Sequence, residues 1–506
     1  MEVFEQKLEY LVYSPLYWVG DAVGQPIDQL LYFATVIFSF IACLVLGQIE
    51  NVALRKIYNP ILGLCCGFFI YGRQYWWNIA FVIVNYLLMR LLPRKPASNA
   101  MAVFSTVCLL WAGIYAKYIK QAEKHGWDID LIIMINFCKF HMMSVNYENA
   151  GILDDESKSK YFTARERKYA EPLRERVHFL DFINYYFFSA ASYSGQVHEY
   201  RDFIYFINLE KEYKDIPKSK LPLQALKWFA QIPFWAFMLV ITDIIAPKSY
   251  LLTQEYADSG FFFKAGHLIL STLVKQFTLV LGFTAMECNF IACGQGYVPA
   301  NTTKTEDGKE VTTPEEFNAI KSVLAWPIYA CTDFAALVNA WNIQIHHWLK
   351  YYVMLRLIDR SKPKTQTQVM PQIVCFLVSS IWHGLELGLW VCMFGFGMLL
   401  ALYNITSRTQ LCQGIAKNVP FVIYHPLKWL FFYFCASWIE ICFELRYISV
   451  FWKVHATMYH VGTWLPILII IVFSQLPKVR RPRSKNEEQQ KTVELQNLNK
   501  NSEKSK

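Results

Sequence analysis

Residues 370–403 read MPQIVCFLVSSIWHGLELGLWVCMFGFGMLLALY, an apolar run in which His383 and Glu386 are the only side chains of the Asp, Glu, Lys, Arg and His types. Runs of about 20 apolar residues are long enough to cross the roughly 30 Å core of a lipid bilayer. An ionisable residue inside such a run costs free energy and therefore indicates a functional site. Histidine titrates closest to neutrality, which suits proton transfer. His383 is the leading candidate for a catalytic base.

The composition indicates that the whole chain is a membrane protein. Of its 506 residues, 54% are hydrophobic and 18% are charged, whereas soluble proteins average about 25% charged residues. The apolar residues are gathered in blocks, which argues against a large soluble enzyme. We predict an all-α fold, a polytopic transmembrane helical bundle of about eleven spans, with some short or re-entrant helices. The candidate blocks are 31–49, 58–72, 76–92, 101–119, 129–147, 179–194, 225–247, 261–294, 322–341, 370–384, 385–403, 427–445 and 460–477.

Three of these blocks are unusual. Polar residues interrupt 58–72 and 129–147, so each is expected to be re-entrant or buried within the bundle. The 261–294 block is too long for one upright span, and we expect it to tilt strongly or to break near Gly282.

Other composition signals exclude several functional classes. The 13 cysteines lie mostly in apolar runs without zinc-ligand spacing, which indicates helix packing rather than metal binding. The net charge is +9, but no basic domain with exposed aromatic residues is present, which argues against a nucleic-acid partner. The N-terminus lacks the basic-then-apolar order of a cleavable signal peptide. We predict one membrane domain over 1–477 and a basic, disordered, cytosolic tail over 478–506.

Two clusters of basic residues predict the orientation in the membrane. The tail after residue 478 is basic, and so is the 342–369 loop, which carries Lys350 and Arg356. Loops rich in Lys and Arg face the cytosol, so both segments are expected there. Asn342 then lies near the cytosolic mouth, with His383 one span deeper. Glu386, three positions after His383, is expected to share its helix face.

Asn342 is the second candidate for a catalytic residue, in the stretch WNIQIHHWL that begins at Trp341. One interpretation is a helix cap, because asparagine favours helix ends. The other is a hydrogen-bonding group that stabilises an oxyanion. His383 has a competing interpretation too, as a buried histidine bonded to a helix carbonyl. The adjacent His346 and His347 point about 100° apart on a helix, so we predict no metal site.

Together, these residues resemble the membrane-bound O-acyltransferase family, in which an Asn and a deeper His form the active site. The segment Trp382-His383-Gly384-x-x-x-Gly388 is similar to the Trp-His-Gly-x-x-x-Gly-Tyr-x-x-x-Phe motif of its lysophospholipid acyltransferase branch. Leu389 and Met393 stand where that motif has Tyr and Phe.

Four further stretches resemble the same branch, although two carry substitutions. Trp127-Asp128 is similar to its upstream element, and the segment from Tyr447 to His455 is similar to its C-terminal aromatic-then-His motif. The other two are Ser144–Tyr147 and Gly195–Phe203, where Gln196 replaces a usual proline.

The resemblance implies a function and a mechanism. The expected reaction is acyl transfer from acyl-CoA, a co-substrate, to a lysophospholipid hydroxyl in the endoplasmic reticulum membrane, without a cofactor. His383 would be the general base, and Asn342 would stabilise the oxyanion or position the substrate. The candidate substrate-binding residues are Trp341, Trp382, Glu386, Lys350, Arg356 and His455. Alternatives are another hydroxyl acceptor, such as a sterol, diacylglycerol or protein, and, more distantly, a transporter without enzymatic activity.

The topology prediction can be tested with single cysteines in a cysteine-free background. We expect cysteines placed at Lys350 and at Lys485 to react with an impermeant maleimide added to the cytosolic face of sealed microsomes, because basic loops stay on that side. The segment 446–459 is one predicted span before the tail and is therefore expected in the lumen. A cysteine at Tyr459 is the control and should react only after the membrane is permeabilised. Lumenal labelling at Lys350 would contradict the predicted cytosolic route for acyl-CoA.

Overall fold

The computed structural model describes residues 13–22, 27–118, 127–304, 310–358 and 369–479. These residues are predominantly helical and include a single two-stranded hairpin, which confirms the predicted all-α class. Most of the predicted tail, from residue 480 onward, and part of the predicted basic loop, residues 359–368, lie outside the described residues.

The helices follow one another with short connections. In chain order they are α1 (13–22), α2 (Ile27–Gln48), α3 (Val52–Tyr71), α4 (Tyr75–Leu91), α5 (Arg94–Tyr118), α6 (Asp130–Ala150), α7 (Glu156–Ser159), α8 (Ala164–Ala170), α9 (Phe179–Tyr186), α10 (Tyr200–Ile207), α11 (Leu221–Phe229), α12 (Ile232–Ile245), α13 (Gln254–Asp258), α14 (Phe261–Cys293), α15 (Ala325–Ala330), α16 (Phe334–Ala340), α17 (Ile343–Trp348), α18 (Val369–His383), α19 (Leu387–Thr406), α20 (Gln410–Asn418), α21 (Phe421–Leu445), α22 (Ile448–Ala456) and α23 (Val461–Ser474). Strands β1 (Asn301–Lys304) and β2 (Glu310–Thr313) form an antiparallel hairpin.

Local sequence signals explain where several helices begin and end. The Asn51 side chain accepts a hydrogen bond from the backbone of Leu54 and caps α3. Thr163 and Glu166 form a reciprocal capping box at the start of α8. Gly294 ends α14 in the left-handed conformation that glycine adopts readily. The long α14 is continuous through Gly282, so the predicted break there does not occur.

Seven helical stretches of the described residues are long and apolar enough to cross a membrane, or eight if α22 and α23, bent by 77°, form one span. This number is lower than the predicted count of about eleven. The protein is a multi-pass membrane protein by these lengths. The stretches are Ile27–Gln48, Val52–Leu91, Arg94–Ala116, Lys218–Leu252, Phe261–Cys293, Leu387–Thr406 and Phe421–Leu445.

The difference comes from apolar blocks that are buried inside the protein or broken. The 129–147 block lies in α6, which buries Asn136, Lys139 and Asn146 among neighbouring helices, one of the two expected outcomes. The 179–194 block contains only the eight-residue α9 before the chain leaves the helix. The 322–341 block divides into α15 and α16. An apolar sequence does not distinguish a lipid neighbour from a protein neighbour.

The helices pack around several hydrophobic cores, and α14 contributes to four of them. The largest core joins α2, α3, α4, α6, α9 and α10 with the C-terminal part of α14. Another joins α16, α19 and α21 with Ile269 of α14. A smaller core lies where α6 meets α17 and α18. The start of α17 and the end of α18, which carry the two candidate catalytic residues, are therefore held against α6.

Backbone contacts join the helix ends at two places in the bundle. The Val479 backbone N–H donates to the Arg408 carbonyl at 2.8 Å, so the tail starts beside the α19–α20 connection. The Gly388 N–H donates to the Arg446 carbonyl at 2.8 Å, so the opposite end of α19 lies beside the end of α21. Each contact puts two connections at the same end of the bundle, and the side of the membrane on which each end lies stays a prediction.

A glycine contact provides a test of the packing. A Cβ added at Gly63 in α3 would collide with the backbone carbonyl of Phe187, whereas one at Gly113 in α5 meets no atom within 4 Å. We expect Gly63→Ala to lower the free energy of unfolding by about 1–3 kcal/mol. The matched Gly113→Ala should be neutral or gain up to about 1 kcal/mol, because alanine favours helices. Thermal melts in detergent would measure both, and equal melting temperatures would contradict the packing of α3 on residue 187.

Candidate active site

Asn342 occupies a left-handed backbone position between α16 and α17. Its dihedral angles are φ 43° and ψ 52°, and its side chain makes no capping hydrogen bond to α17. Asn342 therefore lies at a helix end, as the capping interpretation has it, but its side chain does not cap the helix. Non-glycine residues in this conformation cost of the order of 1 kcal/mol and persist where the surroundings hold them, although asparagine tolerates it better than most. The half-buried amide is left available for another role.

Neighbouring backbone bonds hold this turn in place. The Ile343 N–H donates to the Ser322 carbonyl at 2.8 Å, and the Leu324 N–H donates to the Ala340 carbonyl at 2.8 Å. The chain is thus fixed to residues 322–324 on both sides of Trp341 and Asn342. The Trp341 ring lies edge-on to Phe283 of α14, with the ring centres 6.1 Å apart.

His383 is the last residue of α18, and aromatic rings surround its imidazole. Its ring centre lies 4.6 Å from that of Trp382 and 5.1 Å from that of Phe443 in α21. Within the described part of the chain, neither ring nitrogen has a hydrogen-bond partner, so the helix-carbonyl interpretation is not supported. Gly384 follows with φ 133°, a conformation that other residues rarely adopt. The sequence His-Gly therefore ends the helix abruptly beside the imidazole.

Two tryptophans fix the helices that carry the candidate pair. Trp348 of α17 donates from Nε1 to His141 Nδ1 at 3.0 Å, and Trp382 of α18 donates from Nε1 to the Met134 carbonyl at 2.9 Å. Both acceptors belong to α6, and the two indole rings lie 6.1 Å apart. The structure brings α17 and α18 to one wall of the bundle, although Asn342 and His383 do not bond directly to each other.

Glu386 does not share a helix face with His383, and that prediction is wrong. The chain turns at Gly384, so Glu386 precedes α19 in an extended conformation. One Glu386 carboxylate oxygen lies 3.9 Å from Arg446 Nη1. The prediction assumed one continuous helix through His383 and Glu386. The turn at Gly384 ends α18 before Glu386, so the two residues do not lie on the same helix.

His455 lies in a buried contact with α21. Its ring stacks on Trp438 at 4.0 Å between ring centres, and Nε2 lies 3.1 Å from the Trp438 carbonyl oxygen. This contact anchors α22 on α21 and uses one ring nitrogen. A role for His455 in substrate binding stays a prediction.

Lys350 and Arg356 lie on the helical extension of α17. Residues Leu349–Val353 form a π-helical turn, and Met354–Arg356 form a short 3-10 turn. Lys350 is exposed, with Nζ 5.3 Å from the ring centre of Tyr351. Arg356 donates from Nη2 to Asn149 Oδ1 at 2.8 Å. Arg356 lines a pocket between this turn and α6.

That pocket has a volume of about 140 Å³ and opens between α6, α8 and the π-helical turn. Two arginines, Arg165 and Arg356, contribute positive charge to it. The Arg165 guanidinium carbon lies 4.4 Å from the ring centre of Tyr169 and 4.2 Å from that of Tyr351. The lining residues are Val145, Asn146, Asn149, Thr163, Arg165, Glu166, Tyr169, Tyr351, Tyr352, Leu355 and Arg356.

Beside the pocket is a buried polar network that the sequence analysis did not identify as a site. The Tyr352 hydroxyl lies 2.8 Å from both carboxylate oxygens of Glu199, and Asn146 Nδ2 donates to that hydroxyl at 2.9 Å. Arg165 Nη2 pairs with Glu199 at 2.8 Å. Asn146 and Glu199 belong to the two stretches, 144–147 and 195–203, that resemble the acyltransferase branch. The resemblance of both stretches to that branch could have indicated a shared role, but only the fold shows that Asn146 and Glu199 lie in one network.

Burial sets the protonation of this network. It raises the pKa of Glu199 to about 7, although the Arg165 charge and the Tyr352 hydrogen bond oppose the rise. The desolvation of a carboxylate in a nearly dry site outweighs one ion pair at its edge. Glu199 therefore changes charge near neutral pH.

The chain was compared with known proteins. A family model described as the membrane-bound O-acyltransferase family matches residues 127–443, which include Asn342 and His383. The chain belongs to the membrane-bound O-acyltransferase family. Among curated relatives, it is 20% identical over 449 residues to "Lysophospholipid acyltransferase 5" of Homo sapiens, covering 86% of this chain and 85% of the relative.

Two further curated relatives are similar at comparable identity. "Lysophospholipid acyltransferase 1" of Arabidopsis thaliana is 21% identical over 482 residues, covering 93% of this chain and 98% of the relative. "Lysophospholipid acyltransferase" of Saccharomyces cerevisiae is 24% identical over 370 residues, covering 67% of this chain and 57% of the relative. The family assignment makes the chain an O-acyltransferase.

The raised pKa of Glu199 predicts a pH dependence of stability. The folded value of about 7 exceeds the ordinary value of 4.5, so the folded state binds the proton more tightly. The resulting stability is present in full below about pH 4.5 and is lost as the pH rises through about 7, by an amount of the order of 3 kcal/mol. We expect the melting temperature of Glu199→Gln to fall less between about pH 5 and about pH 8 than that of the unsubstituted protein.

Glu212→Gln is the matched control. Burial of Glu212 is outweighed by hydrogen bonds from Arg201, which keep the pKa of Glu212 below its usual value. This carboxylate stays ionised over the whole range, so its removal should not change the slope of melting temperature against pH. Equal slopes for Glu199→Gln and the unsubstituted protein would contradict the assigned titration.

Proposed function

We propose that the protein transfers a fatty acyl group from acyl-CoA to the free hydroxyl of a lysophospholipid. Its family membership supports acyl transfer to a hydroxyl. Relatives from yeast, human and plant whose names specify lysophospholipid acyltransferases support the acceptor class. The proposed location is the endoplasmic reticulum membrane, with the C-terminal tail in the cytosol.

In the proposed reaction, His383 is the general base. Its imidazole removes the proton as the lysophospholipid hydroxyl attacks the thioester carbon, because an alcohol is a weak nucleophile. The new C–O bond forms, and the carbonyl oxygen carries the negative charge of a tetrahedral intermediate. Asn342 stabilises that oxyanion or positions the thioester. The C–S bond then breaks, and the CoA thiolate accepts the proton from His383.

The surroundings of His383 are the observation on which this proposal rests. The imidazole ends α18 between Trp382 and Phe443, with no hydrogen bond to any described residue, so it can accept one from a substrate hydroxyl. Buried polar groups in proteins are normally hydrogen-bonded. An imidazole that lies between two aromatic rings, without a hydrogen bond to a described residue, fits a substrate hydroxyl as its partner.

The proposed route of acyl-CoA follows the positive charge. Arg165 and Arg356 line the pocket beside the π-helical turn, and Lys350 lies exposed on the same turn. Guanidinium groups bind phosphate through paired hydrogen bonds, which favours this face for the donor nucleotide. The arm that joins the nucleotide to the thioester would then reach towards Asn342 and His383, where the thioester reacts.

Substitution of the pair tests the mechanism. We expect His383→Ala to lower the rate of phospholipid formation by about 10²–10⁴-fold, the contribution of a general base. Asn342→Ala should lower it by about 10²–10³-fold if the amide meets the oxyanion. The measurement uses microsomes, labelled acyl-CoA and a panel of lysophospholipids, a sterol and diacylglycerol.

His425→Ala is the matched control for loss of a histidine. His425 lies near the start of α21, where its ring contacts only Phe421 among described aromatic residues, and we expect full activity. Intact phospholipid formation by His383→Ala would remove His383 from the role of base. Labelling of the sterol or diacylglycerol in place of lysophospholipids would overturn the proposed acceptor class.

A further inference from the structure

Glu287 is a buried carboxylate on α14 that accepts four hydrogen bonds. Its oxygens accept from Trp228 Nε1 at 3.0 Å, Asn318 Nδ2 at 2.8 Å, the Ser322 N–H at 2.8 Å and the Val323 N–H at 3.3 Å. The residue is 1% exposed, and no lysine or arginine of the described chain pairs with it. A buried carboxylate is costly unless hydrogen bonds satisfy it.

The bonds to Ser322 and Val323 extend from α14 to the candidate active site. Residues 318–324 form an irregular segment that Glu287 holds against α14. The same segment holds the turn at Asn342 through three bonds. The Ser322 carbonyl accepts from the Ile343 N–H, the Leu324 N–H donates to the Ala340 carbonyl, and Gln344 Nε2 donates to the Lys321 carbonyl at 2.9 Å.

These bonds surround Asn342 on both sides along the chain. They constrain positions 340, 343 and 344, while the left-handed residue at 342 has no cap of its own. A residue in a sparsely populated conformation stays there only when its surroundings determine it. Hydrogen bonds from the segment 318–324 hold the turn in this conformation, and Glu287 in turn holds that segment against α14.

We propose that Glu287 is a positioning residue for acyl transfer, acting through residues 318–324 to keep the Asn342 amide at the reacting thioester. The inference rests on the proposed role of Asn342. Glu287 itself does not contact the substrate. A displacement of about 1 Å at a reacting group is enough to reduce a rate by about 10²-fold. Loss of the Glu287 carboxylate should therefore lower kcat.

Glu287→Gln tests the inference, because glutamine keeps the size of the side chain but presents an amide N–H₂ to hydrogen-bond donors. We expect kcat to fall by about tenfold to a hundredfold, with KM for acyl-CoA and for lysophospholipid within about twofold. Glu287→Asp, which keeps the carboxylate, should recover part of the loss. Glu444→Gln is the matched control and should keep full kcat. Glu444 is a carboxylate on α21 that pairs with Lys248 at 2.9 Å.

A double substitution distinguishes a positioning role of Glu287 from a non-specific loss of structure. If Glu287 acts through Asn342, Glu287→Gln combined with Asn342→Ala should be no slower than Asn342→Ala alone. If the two losses multiply instead, Glu287 does not act through Asn342, and the inference fails. Rates are compared per amount of folded protein, measured by size-exclusion chromatography in detergent.

Two outcomes distinguish this inference from the proposed function. Full activity of Asn342→Ala would overturn the role of Asn342 and with it the positioning role. Full kcat of Glu287→Gln beside an impaired Asn342→Ala would overturn the positioning role alone. If Glu287→Gln does not fold, Gln344→Ala replaces it, because it removes one of the three bonds to the turn and leaves the carboxylate intact. A several-fold fall in kcat is expected there, and an unchanged kcat would overturn the inference.

Discussion

Backbone that leaves a helix inside a membrane protein must find hydrogen-bond partners within the protein, because lipid offers none. This constraint shapes the centre of the structure. After α9 the chain runs without regular structure through buried residues, and side chains of other helices bond to it. Asn59 accepts from the Ser189 N–H at 3.0 Å, and the Ser39 hydroxyl donates to the Ser189 carbonyl at 2.8 Å. Residues 318–324 are held in a similar way by Glu287. Polar residues in the apolar blocks therefore form hydrogen bonds with the backbone of the irregular segments.

The same constraint explains why α14 is central. Its 33 residues reach from the core around α21 to the core around α2 and α3. Asn289 near its C-terminal end donates to Ser39 at 3.0 Å, and Thr272 nearer its start donates to Ser437 at 2.7 Å. One helix therefore connects the two halves of the bundle, and its buried carboxylate lies beside the segment that holds Asn342.

The sequence predicted those features that depend on local composition. The apolar blocks correctly indicated an all-α membrane protein. His383 and Asn342 were predicted as site residues because polar groups are conspicuous in apolar surroundings, and their catalytic roles stay predictions. Features that depend on distant parts of the chain were not predictable in this way. The burial of α6 inside the bundle, the meeting of Asn146 with Glu199, and the separation of Glu386 from His383 by the turn at Gly384 all depend on the fold. Asn342 itself lies at a helix start, as the capping interpretation assumed, but its side chain makes no capping hydrogen bond.

The π-helical turn at Leu349–Val353 makes the candidate site sensitive to the length of the chain as well as to its chemistry. A π turn accommodates one more residue than an α turn. Removing one residue there would allow an ordinary α-helix to form, in which each side chain lies about 100° around the axis from the one before it. The angular spacing of the side chains inside the turn would change, and Tyr352 would then leave Glu199. Variation by single-residue insertion or deletion is therefore restricted in this short segment, even though it lies next to a loop.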